Sequence, residues 1–154
     1  MEGENMILVR YERMHSLARV PTKSTPESTG VDIFAGEDKR LDIGDIKAVS
    51  TGLIFDMSKV PAGIDLQIRP RSGLALNHGI SVLNSPGTID RDYRGEIKII
   101  LVNHGEFPYV IKAGERIAQL VVGLSYGGEL TMVPVEEVAV DTKRGAGGFG
   151  STGK

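Results

Sequence analysis

The segment NSPGTIDRDYRGE, residues 84–96, carries the densest set of chemically active side chains in the sequence. Asp90 is a carboxylate of the kind that activates water as a general base, and Asp92 follows it two residues later. On a strand, these two carboxylates would point to one side and Tyr93 to the other. Asn84 offers both a hydrogen-bond donor and an acceptor, as the edge of a nucleobase requires. A hairpin with polar turn residues would explain Asn-Ser-Pro-Gly, but it explains the run of Asp, Asp, Tyr and Arg poorly.

A second segment, PRSG at residues 70–73, has the composition of an anion site. The planar guanidinium of Arg71 can grip a phosphate, and the Ser72 hydroxyl and the first N–H groups of a helix can donate to the same anion. The alternative is a capped helix with an arginine on its surface. The pattern RSGLALNHG predicts that short helix in either case, with Ser72 as its N-cap and Gly79 as its end.

The last segment, RGAGGFGSTGK, is rich in glycine and matches part of the phosphate-binding pattern G-x-x-x-x-G-K. We expect no P-loop, because the Ser or Thr, the following helix and the preceding strand–helix alternation of that pattern are missing. A disordered end is the simplest interpretation of so many glycines. The cations, hydroxyls and aromatic side chain among them favour another hypothesis, in which residues 141–154 form a mobile lid that closes over an anion.

The composition indicates one ordinary globular domain. The chain has 154 residues, of which 40% are hydrophobic and 25% are charged, and its net charge is −2. These values give no sign of a general affinity for nucleic acid or an anionic membrane, and no apolar run is long enough to span a membrane. The absence of Cys excludes disulfides, thiol catalysis and thiolate metal sites. His15, His78 and His104 lack metal-ligand spacing, so we predict no metal bound directly by protein side chains.

Short apolar runs separated by Gly, Pro, Asn and Asp predict many short strands and one short helix. IDLQI, residues 64–68, alternates as a half-buried strand does, whereas the more continuously apolar IKIILV, residues 97–102, predicts deeper burial. These features predict an all-β fold for residues 1–140, in the form of an antiparallel jelly roll, sandwich or barrel. The predicted strands are MILVRY (6–11), KAVSTGLIF (47–55), GIDLQIRP (63–70), GEIKIILVN (95–103), YVIKAG (109–114), RIAQLVVGL (116–124) and ELTMVPVEEV (129–138).

Five segments, taken together and in order, resemble the five motifs of the trimeric dUTPases, the deoxyuridine 5′-triphosphate nucleotidohydrolases. One such segment would be weak evidence, but five in order at compatible spacings are highly specific. The segments are STGVDIFAG (28–36), PRSGLA (70–75), GTIDRDYRGE (87–96), GERIAQL (114–120) and RGAGGFGSTG (144–153).

The resemblance implies a β jelly roll, a homotrimer with active sites at the subunit contacts, and hydrolysis of dUTP to dUMP and pyrophosphate. Such a reaction limits uracil in DNA and supplies dUMP for dTMP synthesis, and it implies a cytoplasmic bacterial protein or an intracellular viral one. Mg²⁺ would be the cofactor, held mainly by the triphosphate, with Asp32 touching its hydration shell. Asp90 would orient and deprotonate the water that attacks the α-phosphorus.

The same resemblance implies the remaining site residues by position. Those expected at the phosphates are Arg71, Ser72, Gly73, Gln119, Arg144, Ser151 and Thr152. Those expected at the uracil and the deoxyribose are Asn84, Gly87, Ile89, Tyr93 and Phe149. Phe149 would cover the uracil as the C-terminal lid closes.

Two alternative functions stay open at this stage. A dCTP deaminase resembles the same fold, but that family places a catalytic Glu in the strand after the third motif, and IKIILVN has no carboxylate. A non-catalytic nucleotide-sensing module would keep the base pocket and lose the attacking groups, and the presence of Asp90, Arg71 and the whole tail speaks against that loss. Residues 1–27 suggest no function beyond one strand.

Overall fold

The computed structural model describes residues 6–126, 130, 132–134 and 136. The chain there consists of short antiparallel strands and a single seven-residue helix, and no helix in this part is long and apolar enough to cross a membrane. In chain order the elements are β1 (Arg10–Arg13), β2 (Val31–Phe34), β3 (Lys39–Leu41), β4 (Ile46–Asp56), β5 (Ile64–Arg69), α1 (Ser72–His78), β6 (Ile80–Val82), β7 (Gly87–Ile89), β8 (Glu96–Asn103), β9 (Tyr109–Ile111) and β10 (Arg116–Leu124).

The strands form two four-stranded sheets and one two-stranded sheet. Their orders are β1-β4-β8-β6, β2-β10-β5-β7 and β3-β9, and every pairing is antiparallel. Apolar side chains from all three sheets enter one buried cluster, which includes Val49 of β4, Leu66 of β5 and Leu41 of β3. Sheets that share a core in this way pack face to face. The all-β jelly roll with one short helix, predicted from the sequence, is thus confirmed.

The burial of side chains along β5 and β8 can be compared directly with the apolar pattern of their sequences. β5 alternates as predicted, with Leu66 and Ile68 buried between more polar neighbours. β8 alternates as well, because Lys98 and Ile100 face a surface cavity instead of the core. The deeper burial predicted for residues 97–102 is found at Ile97, Ile99, Leu101 and Val102, whereas Lys98 and Ile100 are exposed.

The helix begins and ends almost where the sequence predicts, but its cap differs. Gly79 ends it in the left-handed conformation at φ 68°, which glycine adopts without a steric penalty. The N-cap position belongs to Arg71, whose extended backbone precedes the helix, and no side chain caps the first turn. The prediction of Ser72 as N-cap is wrong, since Ser72 is already the first helical residue.

The predicted strands agree with the structure where they are long. Those over residues 47–55, 63–70, 95–103 and 116–124 match β4, β5, β8 and β10, and the one over 109–114 contains β9. The first strand lies later than predicted, at β1, because its pairing with β4 sets the position. β2, β3, β6 and β7 were not predicted. The strand predicted over 129–138 falls largely outside the described residues.

Candidate active site

A first cavity, of about 430 Å³, brings together residues predicted to hold uracil and deoxyribose, along with Asp90. It lies along β7 and β8, and its lining includes Asn84, Gly87, Ile89, Asp90 and Tyr93. A Cβ on residue 87 would come 3.1 Å from the Asn84 amide nitrogen, so glycine gives that amide room against the strand. The cavity wall therefore presents an amide, a carboxylate and an aromatic ring.

The chain after β7 forms a tight turn, not the continued strand considered above. The Tyr93 N–H donates to the Asp90 carbonyl at 3.1 Å, and Arg94 donates to the carbonyls of Arg91 and Tyr93 at 2.7 and 2.9 Å. In this turn both carboxylates are exposed, but Asp90 lines the first cavity and Asp92 does not. The structure thus separates the two carboxylates and leaves Asp90 as the one at the site.

A second cavity, of about 310 Å³, brings together the predicted phosphate-binding residues of the described chain. Three stretches of the chain, 24–32, 71–73 and Gln119, meet there, because β2, β10 and β5 are neighbours in one sheet and α1 follows β5. The Gln119 amide nitrogen donates to the Pro70 carbonyl at 2.8 Å, which fixes its side chain beside the start of α1. The lining consists of Ser24, Ser28, Thr29, Gly30, Asp32, Arg71, Ser72, Gly73 and Gln119.

Asp32 is the centre of a charged network in this cavity. Its side chain is only 12% exposed and lies between two guanidinium groups, with Arg71 Nε 3.1 Å from Oδ1 and Arg116 Nη1 3.3 Å from Oδ2. The Ser24 hydroxyl donates to Oδ2 at 2.6 Å. Burial raises the pKa of the Asp32 carboxyl, but the Ser24 hydrogen bond and the charges of Arg71 and Arg116 outweigh it and hold the pKa below its ordinary value. Asp32 is therefore an ionised carboxylate.

Arg71 occupies a position from which it can hold an anion. Its Nε contacts Asp32, and one Nη donates to the Arg116 carbonyl at 3.1 Å. A guanidinium has five N–H groups, so these contacts orient the side chain without using its full donor capacity. The Arg71 side chain is 26% exposed, which leaves part of its fork open to the cavity.

Arg116 and Ser24 belong to this network, although sequence reasoning did not place them in the site. Arg116 is the first residue of the predicted strand RIAQLVVGL, and its Nη1 contacts both the Ser24 hydroxyl and the Asp32 carboxylate. A third cavity, of about 450 Å³, shares Asp32 and Ser24 with the second, and its lining adds the cations Arg19, Lys23 and Arg116 against one further carboxylate, Glu115. The surroundings of Asp32 are therefore positively charged in a chain whose net charge is −2.

The C-terminal site predictions cannot be placed. The residues Arg144, Phe149, Ser151 and Thr152 lie outside the described part of the chain, as does the predicted lid over 141–154.

Carboxylates are sparse around the second cavity. Asp32 is the one acidic residue of its lining, and the described residues hold no group of three or more His, Asp or Glu side chains that could bind a metal ion. A single carboxylate suits Mg²⁺ that keeps several waters and is bound mainly through substrate phosphates. The residues present therefore fit a phosphate-held Mg²⁺ that Asp32 meets through water.

Comparison with known proteins gives a consistent picture. The dUTPase family model matches residues 17–153. The deoxyuridine 5′-triphosphate nucleotidohydrolase of Nautilia profundicola is 48% identical over 146 residues, which cover 95% of this chain and 99% of that protein. The enzyme of the same name from Helicobacter hepaticus is 46% identical, over 94% of this chain and 88% of its own.

Solved structures of similar fold carry the same family name. The dUTPase of Staphylococcus bacteriophage 80alpha with dUPNHPP has a TM-score of 0.80 and 25% identity, covering 96% of this chain and 99% of that one. A mutant dUTPase from phage phi11 of S. aureus, described with a structural Mg(II) ion, has a TM-score of 0.72 and 23% identity, covering 85% of this chain and 98% of that one.

Proposed function

The chain belongs to the dUTPase family and is a dUTP diphosphatase, and we propose that its reaction takes place where the first and second cavities meet in an assembled trimer. The observation that carries this proposal is that the two cavities present different kinds of side chain. The first presents the Asn84 amide, the Tyr93 ring and apolar strand residues beside Asp90, Glu96 and Lys98. The second presents Arg71, hydroxyl groups and Asp32. A nucleoside triphosphate needs one surface of each kind, because its base and sugar are neutral and its phosphates are anionic.

Asp90 is the residue we assign to the water. It stands at the end of β7, where the turn to β8 directs it to the first cavity. In the proposed step, Asp90 accepts a proton from a water whose oxygen bonds to the α-phosphorus. The bond from that phosphorus to the oxygen bridging to the β-phosphate breaks, and pyrophosphate leaves. Free Asp has a pKa of about 3.9, so positioning must supply much of its effect as a base.

Arg71, Ser72, Gly73 and Gln119 are the described residues that we assign to the phosphates. The guanidinium of Arg71 is held by Asp32 and the Arg116 carbonyl, so it reaches the anion with little loss of side-chain freedom. Arg144, Ser151 and Thr152 would add donors from the C-terminal segment. Mg²⁺, which Asp32 would meet through water, neutralises charge on the phosphate oxygens when it is bound.

Asn84, Gly87, Ile89 and Tyr93 are assigned to the uracil and the sugar. The Asn84 amide can pair with a base edge, Ile89 gives an apolar wall, and the Tyr93 ring would lie against the deoxyribose and leave no room for a 2′-hydroxyl. Phe149 would cover the uracil from the C-terminal segment. Exclusion of the 2′-hydroxyl is the feature that would separate dUTP from UTP.

A homotrimer would join the two halves of the site. In one chain the first and second cavities have no lining residue in common. We therefore propose that Asp90 of one subunit meets the Arg71 cavity of another. Co-expression of Asp90→Asn chains with Arg71→Gln chains tests this, because mixed trimers then contain sites with both native residues. Recovery of activity above that of either variant alone supports the shared site, and no recovery in trimers shown to be mixed contradicts it.

A product assay tests the chemical role of Asp90. With Mg²⁺, we expect dUMP and pyrophosphate from dUTP, and little turnover of UTP, dTTP or dCTP. Asp90→Asn should abolish turnover but keep binding of a non-hydrolysable dUTP analogue. Asp92→Asn is the matched control, since it removes a carboxylate of the same turn that does not line the cavity. Loss of nucleotide binding in Asp90→Asn, or equal loss of turnover in Asp92→Asn, would contradict the assignment.

The dCTP arm of the assay addresses the deaminase alternative. In the structure β8 begins at Glu96, one residue before the segment whose lack of a carboxylate spoke against that alternative. The Glu96 carboxylate is occupied by donors from β4, however, including the Gly52 N–H at 2.9 Å. We therefore expect no deoxyuridine products from dCTP.

A further inference from the structure

A bulge in β4 lies opposite the first residues of β8. Ser50 pairs with Lys98 and Ile54 pairs with Glu96, so β4 advances four residues where β8 advances two. Gly52, within the bulge, has φ 69°, and a Cβ there would overlap the ring of His15 and the Ala18 side chain. Such a bulge interrupts the regular hydrogen-bond ladder, so backbone and side-chain donors of β4 can point to a single acceptor.

The Glu96 carboxylate is that acceptor. Its Oε1 accepts the Gly52 N–H at 2.9 Å and the Ser50 hydroxyl, and Lys98 Nζ lies 3.5 Å from Oε2. Burial raises the pKa of Glu96, but the donors from Ser50 and Gly52 and the charge of Lys98 outweigh it and hold the pKa below its ordinary value. With only 15% of its side chain exposed, Glu96 is a fixed, ionised anchor for the start of β8.

The backbone of the same residue holds Tyr93. The Tyr93 hydroxyl donates to the Glu96 carbonyl at 3.0 Å. The phenol lies directly over Gly95, where a Cβ would come 2.6 Å from the ring carbon that bears the hydroxyl. Tyr93 is nevertheless 48% exposed, so surrounding core packing does not fix its ring. Its position in the first cavity therefore depends on the Glu96 carbonyl and on the room above Gly95.

We propose that Glu96 is a positioning residue for sugar specificity: the β4 bulge anchors its carboxylate, and its carbonyl thereby sets where the Tyr93 ring stands against the 2′ position of the sugar. This inference rests on the proposed function, which gives Tyr93 its role at the deoxyribose. If the anchor is removed, the start of β8 and the Tyr93 ring gain freedom, and a 2′-hydroxyl is tolerated. The quantity that reports this is the ratio of kcat/KM for dUTP to kcat/KM for UTP.

The test compares that ratio in the trimeric enzyme and its variants. We expect Glu96→Ala to lower it by about threefold to tenfold, the rate equivalent of one net hydrogen bond. Glu96→Gln retains an oxygen acceptor for Ser50 and Gly52 and should restore most of the ratio. Should Glu96→Ala fail to fold, Ser50→Ala removes one anchor and should lower the ratio in the same direction.

Glu37→Ala is the matched control. Glu37 is also a partly buried carboxylate bound to the same stretch of β4, accepting the Ser50 N–H at 2.8 Å. Among the described residues no hydrogen bond joins it to Tyr93, whose hydroxyl donates to the Glu96 carbonyl. Its removal should cost stability and leave the dUTP to UTP ratio unchanged. Equal ratios in Glu96→Ala and wild type, or an equal fall in Glu37→Ala, would overturn the inference.

Tyr93 variants separate this inference from the function it rests on. Tyr93→Phe removes only the hydroxyl that reaches Glu96 and should lower the ratio about as far as Glu96→Ala. If Tyr93→Ala leaves the ratio unchanged, the sugar role proposed for Tyr93 is wrong. If Tyr93→Ala lowers it but Tyr93→Phe and Glu96→Ala do not, the sugar role stands and the positioning role of Glu96 is wrong.

Discussion

Gly79 gives a sharp test of the packing around the C-terminal end of α1. It ends the helix at φ 68°, donates its N–H to the Ala75 carbonyl at 3.1 Å and accepts the His104 N–H at 2.9 Å. A Cβ at this position would overlap the backbone nitrogen of Gly105 and lie 2.5 Å from its Cα. Backbone atoms cannot move aside as a flexible side chain can, so Gly79→Ala must shift either the helix or the β8–β9 connection.

The expected cost of Gly79→Ala has two parts. A left-handed conformation costs a residue with a Cβ about 1–2 kcal/mol. Overpacking against a fixed neighbour adds about 1–3 kcal/mol. Gly44→Ala is the matched control, because Gly44 has a similar φ of 78° but no atom of the described residues lies within 4 Å of the added Cβ. Gly44→Ala should therefore cost only the first part, and the two variants should differ by about 1–3 kcal/mol.

Denaturant unfolding measures both free energies, with protomer concentration fixed because association contributes to apparent stability. The difference between the variants isolates the close approach from the backbone conformation. Equal losses in the two variants would refute the argument, because they would mean that the helix end accommodates a methyl group without cost. A larger loss in Gly44→Ala would refute it as well.

Three further predictions follow from single features of the structure. Thr51→Val should lower the free energy of unfolding by about 1–3 kcal/mol, because the buried Thr51 hydroxyl donates to the Ile97 carbonyl at 2.6 Å; an unchanged denaturation midpoint would contradict this. The lowered pKa of Asp32 contributes stability that is complete above the ordinary value of 3.8 and is lost as the pH falls through the folded-state value. Acidification should therefore lower the free energy of unfolding more in the wild type than in Asp32→Asn. Parallel plots of unfolding free energy against pH for the two proteins would contradict the role of the network. Chelation of Mg²⁺ should stop turnover reversibly and leave circular dichroism unchanged, since Asp32 already has two arginine partners; unfolding on chelation would instead reveal a structural metal.

The sequence predicts the parts of the fold whose signal is local. β4, β5, β8 and β10 are long enough for their apolar pattern to be read directly, and Gly79 marks the helix end through its own backbone preference. The short strands have three or four residues each, so their neighbours in the sheet determine them more than their own composition does. β1 shows this most clearly, because all four of its residues are exposed and only its register with β4 makes it a strand.

The candidate site also has a part that the local sequence predicts and a part that it does not. Residue types within one segment, such as Asp90 and Tyr93, suggest chemistry without knowledge of the fold. The partners that fix those residues come from far along the chain: Arg116 reaches Asp32 across 84 positions, and Glu96 reaches the bulge at Gly52 across 44. No local pattern in a single sequence encodes such a pair, because each member is an ordinary surface residue until the sheets bring them together.

In the proposed mechanism, the charges around Asp32 would give the C-terminal lid and Mg²⁺ a shared role. The two guanidinium groups that contact Asp32, those of Arg71 and Arg116, together exceed its charge by a single positive unit. One excess charge can attract a triphosphate but cannot neutralise it, and an anionic phosphorus centre would resist attack by the water that Asp90 is proposed to deprotonate. Arg144 from the C-terminal segment and Mg²⁺ carried with the substrate would supply the missing positive charge at the time of reaction. Asp32 would therefore do more than touch the metal's hydration shell, because it holds Arg71 in place for the phosphates until that charge arrives.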